Sequence, residues 1–391
     1  MINLFIFPFF SVIFGMWGGS IINKSIVKLG LIVLSFWVFQ YMLLSNKILS
    51  GSLFYLLCVV LMGVVFVFFL RQKRITFYVF FELRLIPTLL IVFLFGYQPE
   101  KLQARLYLLL YTVFSSLPIL LVFISNSLYL GFISHQFLMW YVFVITFGFR
   151  VKTPLYLVHV WLPKAHVEAP VAGSIVLAGV LLKLGSYGFI IFCPFFSNVI
   201  LTIYVYLSVL GSIYCSLVCL RNYDIKRLIA YSSVVHMGVV TIGVVRGNEI
   251  GYKCALIIVI AHGVCSPFIF SLAFYLYSCR HSRVISCNKG SISFPLIVLW
   301  IFMLVAINIG VPPSINLWRE VLIFFTLVEI IKFSIIFLIV IAFLGVVYNL
   351  FLYVRIRQCK ESFFLKVDGV LWPFFNSIFL RFALFLILNF F

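Results

Sequence analysis

Ionisable side chains stand inside stretches of this sequence that are otherwise hydrocarbon. Glu82 lies in YVFFELRLIPTLL, Glu320 and Glu329 in NLWREVLIFFTLVEIIKF, Lys152 in FRVKTPLYLVHV and Lys183 in VLAGVLLKLGSYGF. His159 follows Lys152 by seven residues, His236 sits in LIAYSSVVHMGVV, and His262 sits in IIVIAHGVCSPF one turn before Ser266. An ionisable group at the centre of an apolar helix costs on the order of 2.5 to 3.5 kcal/mol to insert, so something must offset it. Burial in a low-dielectric interior brings the proton affinities of acids and bases closer together. Glu82, Lys152, Lys183, His262 and Glu320 are therefore a set suited to proton relay, with His159 and His236 as secondary members. Moving one charge across a membrane couples to the potential by about 2.3 kcal/mol per 100 mV, so such a relay stores energy as an ion gradient.

Each of these residues has a plainer reading. Lys183 can snorkel to an interface, but at least ten mostly apolar residues lie on each side of it. A lone histidine among apolar residues is more often a hydrogen-bonded core histidine than a proton carrier; several in series shift that balance. Glu329 and Lys332, three apart on one helix face, can satisfy one another. Glu100, Glu168, Asp224, Glu249, Glu361 and Asp368 fall in polar connections, where a solvated face accounts for them.

The elements that must position these groups are membrane helices. Of the 391 residues 65% are hydrophobic and 9% charged, a balance no water-soluble globule with a polar surface reaches. A bilayer-spanning helix needs roughly 20 mainly apolar residues, and such windows recur. Apolar length, broken at polar or Gly/Pro clusters, predicts an all-α polytopic bundle of about thirteen spans. They fall near 3–22, 27–44, 52–70, 75–96, 105–125, 136–163, 169–194, 198–220, 227–246, 254–278, 293–331, 333–354 and 372–391. The apolar start, MINLFIFPFF, lacks the basic region and cleavage pattern of a signal peptide and reads as part of the first span. Two spans are interrupted, one by Pro154 and one by Pro312-Pro313. Proline removes a backbone donor, and in lipid the freed carbonyls must be met by protein or cavity water, so both breaks belong inside the bundle. Each is fourth in a run of five spans, the pattern of a transporter built from structural repeats. The resulting organisation is 1–51 N-terminal spans, 52–195 and 196–355 two five-helix units, and 356–391 a loop and last span.

Other function classes fit poorly. The net charge of +19 is scattered in short loop clusters such as RQKR at 71–74 and RNYDIKR at 221–227, as expected of loops flanking membrane helices rather than of a nucleic-acid surface. The nine cysteines include no C-x-x-C pair, which argues against a zinc site or disulfide framework. No helix carries two suitably spaced histidines clear of a proline for haem, and GMWGGS at 15–20 follows no strand that would make it a nucleotide loop. No cofactor is expected in this chain.

The segments VKTPLYLVHVWLPKAHVEAPVAGSIVLAGVLLKLGSYG, FFELRLIPTL, GYQPEKLQA, DIKRLIAYSSVVHMG, IAHG and VPPSINLWRE closely resemble the subunit-four family of NADH:ubiquinone oxidoreductase, respiratory complex I, one of its antiporter-like proton-pumping subunits. The resemblance covers roughly residues 75–115 and 148–325. It implies about 14 transmembrane helices with two inverted five-helix repeats, and a place in the mitochondrial inner membrane among the other membrane-arm subunits, its antiporter-like sisters included. It further implies a proton-translocating part of an enzyme whose NADH, FMN, iron-sulfur clusters and ubiquinone are used elsewhere in the complex. On matching positions Glu82 is the family's glutamate of the fifth helix, paired with Lys152 on the broken seventh. Lys183 is the central lysine of the eighth helix, His262 continues the line from the eleventh, Glu320 ends it on the broken twelfth, and His236 on the tenth lies near it. Two alternatives share these features: a cation/proton exchanger of the same fold and a non-pumping membrane scaffold.

Some features depart from the family. Three spans rather than four precede the helix bearing Glu82. Arg84 follows Glu82 by two residues and Arg319 directly precedes Glu320, where the family carries small or uncharged residues. Either these guanidiniums snorkel or pair, or their codons are among those animal mitochondria reassign; the codons for Arg84, Arg105 and Arg319 decide. In FRVKTPLYLVHVWLPKAHVEAP, Lys152 and Pro154 read as a relay lysine at its break. Pro163 to Pro170 reads as the turn into the next span, with Lys164, His166 and Glu168 interfacial.

Overall fold

The computed structural model describes residues 24–45, 51–70, 73–96, 100–128, 135–192, 198–245, 248–289, 295–312, 314–330 and 334–357. The expected spans near 3–22 and 372–391, and the Glu329–Lys332 side chains, lie outside what is described. Among the described residues the regular structure is helical, with turns and irregular connections between helices and one isolated bridge between Asp224 and Val284. The helices are α1 (Lys24–Ser45), α2 (Ser52–Leu70), α3 (Arg74–Leu83), α4 (Leu85–Phe95), α5 (Lys101–Leu128), α6 (His135–Lys152), α7 (Trp161–Glu168) and α8 (Val171–Val176). A π-turn, Leu177–Leu181, joins α8 to α9 (Leu182–Phe192); α10 (Asn198–Arg221), α11 (Ile225–Val245), α12 (Glu249–Arg280), α13 (Pro295–Ile309), α14 (Ile315–Ile330) and α15 (Ser334–Arg357) follow.

Eight helical stretches among the described residues are long and apolar enough to cross a membrane, so the chain is a multi-pass membrane protein. Their burial sorts with composition. In the most apolar 18-residue windows of Ile225–Val245 and Glu249–Arg280, 94% and 89% of the residues are buried, against 33% in that of Ser334–Arg357. Lipid is as apolar as leucine, so close helix packing in a membrane comes from small and polar residues; α11 carries Ser232, Ser233, His236, Gly238, Thr241 and Gly243. Its hydroxyls are satisfied within the helix, Ser233 donating to the Ala230 carbonyl and Thr241 to that of Gly238, both at 2.7 Å.

The first break is longer than a proline kink. Helix α6 stops at Lys152, an irregular segment follows, and α7 runs through Pro163 to Glu168. Residues Pro163 to Pro170 are therefore mostly helix rather than a turn, because proline at the third position of a helix lacks a donor that has no partner there anyway. The carbonyls released by Pro154 are accounted for: Arg150 O accepts from Leu155 N at 3.2 Å, and Val151 O from the Trp161 indole at 3.0 Å. Nearby Leu157 sits at φ 76°, a left-handed conformation costing a non-glycine residue roughly 1–2 kcal/mol.

The span expected at 293–331 resolves into α13 and α14. Gly310, at φ 83°, ends α13 in the left-handed conformation glycine adopts freely, and its amide reaches the Ala306 and Ile307 carbonyls at 3.1 Å. From the far side of the break Asn316 Nδ2 donates to Ile307 O at 3.1 Å, so the freed backbone of α13 is capped from α14.

Candidate functional site

Two buried groupings of the ionisable residues result. In the first, Lys152 Nζ lies 3.1 Å and 3.4 Å from the two carboxylate oxygens of Glu82, joining the last residue of α6 to α3. Phe81 is the shared wall: Lys152 Nζ stands 4.9 Å and the Arg84 guanidinium 4.4 Å from its ring centre. The ring is itself fixed edge-on by Phe149 at 5.6 Å. Arg84 does not snorkel. It is 2% exposed and donates from Nε to Phe81 O at 2.8 Å and from Nη1 to Leu181 O at 3.2 Å.

The second grouping is a continuous line through the most buried helices. Lys183, at the start of α9, donates from Nζ to the carbonyl of Ala178 and meets His262 Nδ1 at 2.8 Å. The π-turn explains the first contact, because widening the ladder by one residue withdraws a carbonyl from the usual i to i+4 pattern. Close approach of α12 explains the second: at Gly263 a Cβ would lie 3.2 Å from Lys183 Cε. The rings of His262 and His236 follow with centroids 5.5 Å apart, and His236 Nδ1 lies 3.3 Å from Glu320 Oε1 on α14. Each residue of the line comes from beside a helix irregularity or from an enclosed helix.

The groupings adjoin. At Gly185 a Cβ would come within 3.0 Å of the Lys152 Cβ, so α9 lies directly against the end of α6. Arg84 bridges them, touching the Glu82 side at Phe81 and the π-turn at Leu181.

Glu82, Lys152, Lys183, His236, His262 and Glu320 are thus brought together; His159 is not. Its ring packs between Tyr156 and Tyr231, each with its centroid at 5.9 Å, in the segment after the break. His166 and Glu168, read as interfacial, are buried. The His166 ring stacks on Phe270 at 4.5 Å, while Glu168 lies under an open cavity of about 190 Å³ shared with Glu100, Gln103, Lys164, Asn222 and Arg227. Arg319 is buried too and lies beside the Cys254 thiol of α12. Two amides escaped the sequence reading: Asn308 accepts from or faces His236 Nε2 at 3.1 Å, and Asn349 stands behind it.

Fold and site define a polytopic helical membrane protein with a file of acid and base groups in contact through its enclosed core, joined by the Lys183–His262 hydrogen bond, the His262–His236 ring contact and the His236–Glu320 ion pair. Residues 72–347 match the model of the NADH:quinone oxidoreductase/Mrp antiporter transmembrane family, and the chain belongs to that family. It is 43% identical over 271 residues to NADH-ubiquinone oxidoreductase chain 4 of Locusta migratoria, covering 66% of this chain and 61% of that one. With the chain 4 protein of Mytilus edulis it shares 42% over 246 residues, 59% and 56% of the two chains. The match thus spans about three fifths of the curated relatives' length. Among solved structures, respiratory complex I from Thermus thermophilus with bound NADH superposes with a TM-score of 0.80 at 24% identity, over 90% of this chain and 78% of that chain. The Mrp complex from Dietzia sp. DQ12-45-1b superposes with a TM-score of 0.75 at 16% identity, over 87% and 67%; both likenesses are of fold.

Proposed function

We propose that the chain is a core membrane-arm subunit of a proton-translocating NADH:ubiquinone oxidoreductase, moving protons across the mitochondrial inner membrane. The observation that carries this is the unbroken contact from Lys183 through His262 and His236 to Glu320, beside the Glu82–Lys152 pair. Residues 52–195 and 196–355 act as inverted five-helix repeats, each supplying one broken helix, and residues 1–51 and 356–391 flank them. NADH, FMN, iron-sulfur clusters and ubiquinone belong to partner subunits, and this chain contributes only the proton path. Electron transfer to quinone reaches it as a change of charge or hydration at one flank. That change alters the Glu82–Lys152 pairing, and with it the field at Lys183, whose proton passes to His262 and on toward Glu320.

The test is NADH-driven proton uptake by the assembled complex in liposomes. Lys183→Met, which is one atom shorter, unbranched and has no proton to pass, is expected to abolish or strongly reduce coupled uptake; full uptake contradicts the reading. The Mrp likeness supports a second one, a cation/proton exchanger of the same fold. Co-purification of the chain with NADH dehydrogenase activity separates the two.

A further inference from the structure

On the side of His236 away from Glu320, hydrogen bonding continues through two asparagines. Asn308 Oδ1 faces His236 Nε2 at 3.1 Å, Asn308 Nδ2 donates to Asn349 Oδ1 at 2.9 Å, and Asn349 Nδ2 donates to the Gly345 carbonyl at 2.9 Å. Both amides are buried. Asn308 stands on α13 just before the Gly310 break and Asn349 on the outer helix α15, so three helices must be in register for the chain to close.

Only one sense of this chain is chemically consistent. A backbone carbonyl accepts and never donates, so Gly345 requires the nitrogen of Asn349 and turns its oxygen toward Asn308. That oxygen also only accepts, so it requires the nitrogen of Asn308 and turns the Asn308 oxygen toward the imidazole. An amide oxygen has no proton to give. Nε2 of His236 must therefore carry hydrogen.

We infer that Asn308 and Asn349 are positioning residues that lock His236 in its Nε2–H form and thereby make the His236–Glu320 contact a one-proton site. With Nε2 always protonated, the 3.3 Å contact between Nδ1 and Glu320 Oε1 is favourable in two states. Either an imidazolium faces a carboxylate, or a neutral imidazole accepts from a carboxylic acid. Both hold the same number of protons and the same net charge, and they differ by one proton shift along one bond. Removing that proton sets the Nδ1 lone pair against a carboxylate, which is repulsive. Without the lock, a neutral ring can take the Nδ1–H form and donate to the Glu320 carboxylate, so the site empties readily. The amide chain thus keeps the end of the line loaded, and rests on the relay reading above for its use.

The groups facing the site are His262 from α12, with its ring centroid 5.5 Å from that of His236, Glu320 from α14, and Tyr348 from α15, which lies near Glu320 and beside the Asn349 amide. Lys183 reaches it through His262.

The experiment is a pH titration of the His236–Glu320 site by infrared difference spectroscopy on the assembled complex, following the carboxyl band, assigned by its loss in Glu320→Gln, together with the imidazole bands, assigned by their loss in His236→Leu. Asn308→Asp places a carboxylate at Nε2, strengthens the lock and is expected to move the midpoint of proton loss up by about one pH unit or more. Asn308→Leu removes the acceptor and moves it down by a similar amount. Asn349→Leu frees the Asn308 amide to turn and also moves it down, so the lock is read from its far end even where an Asn308 variant fails to assemble. A purely structural role changes assembly or thermal stability and leaves the midpoint in place. Unchanged midpoints, or shifts of one sign in Asn308→Leu and Asn308→Asp, overturn the inference. Because the spectrum reads the proton itself, opposite shifts in a complex whose uptake ignores Lys183→Met would keep the lock and discard the pumping reading.

Discussion

The two groupings of ionisable residues are closed by different chemistry. At one, Glu82 lies beside two cations, Lys152 in direct contact and Arg84 packed on the same phenylalanine ring. At the other, Glu320 meets an imidazole backed by neutral amides. The first is held by an ion pair beside a permanently charged guanidinium. The second can shift between charged and neutral forms without net change. A path needs both, one grouping whose pairing changes the field and one whose proton can move.

Variants in the two groupings are expected to fail differently, and the largest effect tests this. Lys152→Met leaves the part-buried Glu82 without its contact partner; breaking a fully buried pair costs about 3–5 kcal/mol, and the 20% exposure of Glu82 with Arg84 nearby puts this loss at or just below the lower figure. Glu320→Gln keeps a hydrogen-bonding partner for His236 and leaves thermal stability of the assembled complex within roughly 1 kcal/mol of the original, while proton uptake is lost. Equal stability loss in both groupings, measured by thermal unfolding, would erase the contrast.

A smaller effect sharpens it. At Gly188 a Cβ would come within 2.3 Å of the Phe149 ring, and that ring is stacked against Phe192 and edge-on to Phe81. Gly188→Ala is expected to cost about 1–3 kcal/mol by overpacking and to disturb the Glu82–Lys152 pair while sparing His236–Glu320. Its melting temperature and the Glu320 infrared band together check that. The smallest effect lies at the second break. Asn316→Ala removes one hydrogen bond to Ile307 O, worth about 0.5–1.5 kcal/mol, and is expected to lower melting slightly with uptake retained.

How much of this was legible in the sequence follows from cost. Glu82, Lys152, Lys183, His262 and Glu320 stood out because a charge in an apolar window demands a partner, and most spans were readable because their length is set by the bilayer. Amides carry no such signal, so Asn308 and Asn349 passed as ordinary residues until α13 and α15 were seen to hold them behind His236. The π-turn was invisible as well, since LAGVL differs in nothing from its helical neighbours. The burial of His166 and Glu168 was not legible because Pro163 and Pro170 suggested a turn, whereas a proline in a helix's first turn permits the short α7 that packs both against protein. Arg84 depended on the same geometry, because its partner carbonyl, Leu181 O, lies 97 residues away.

The most direct test of the central claim, a single file from Lys183 to Glu320, is the one residue that joins its halves. His262 touches Lys183 on one side and His236 on the other, and contributes to neither end. In the assembled complex in liposomes, proton uptake per NADH oxidised is expected to fall in His262→Leu to the level of Lys183→Met. Uptake at the original ratio would contradict the account.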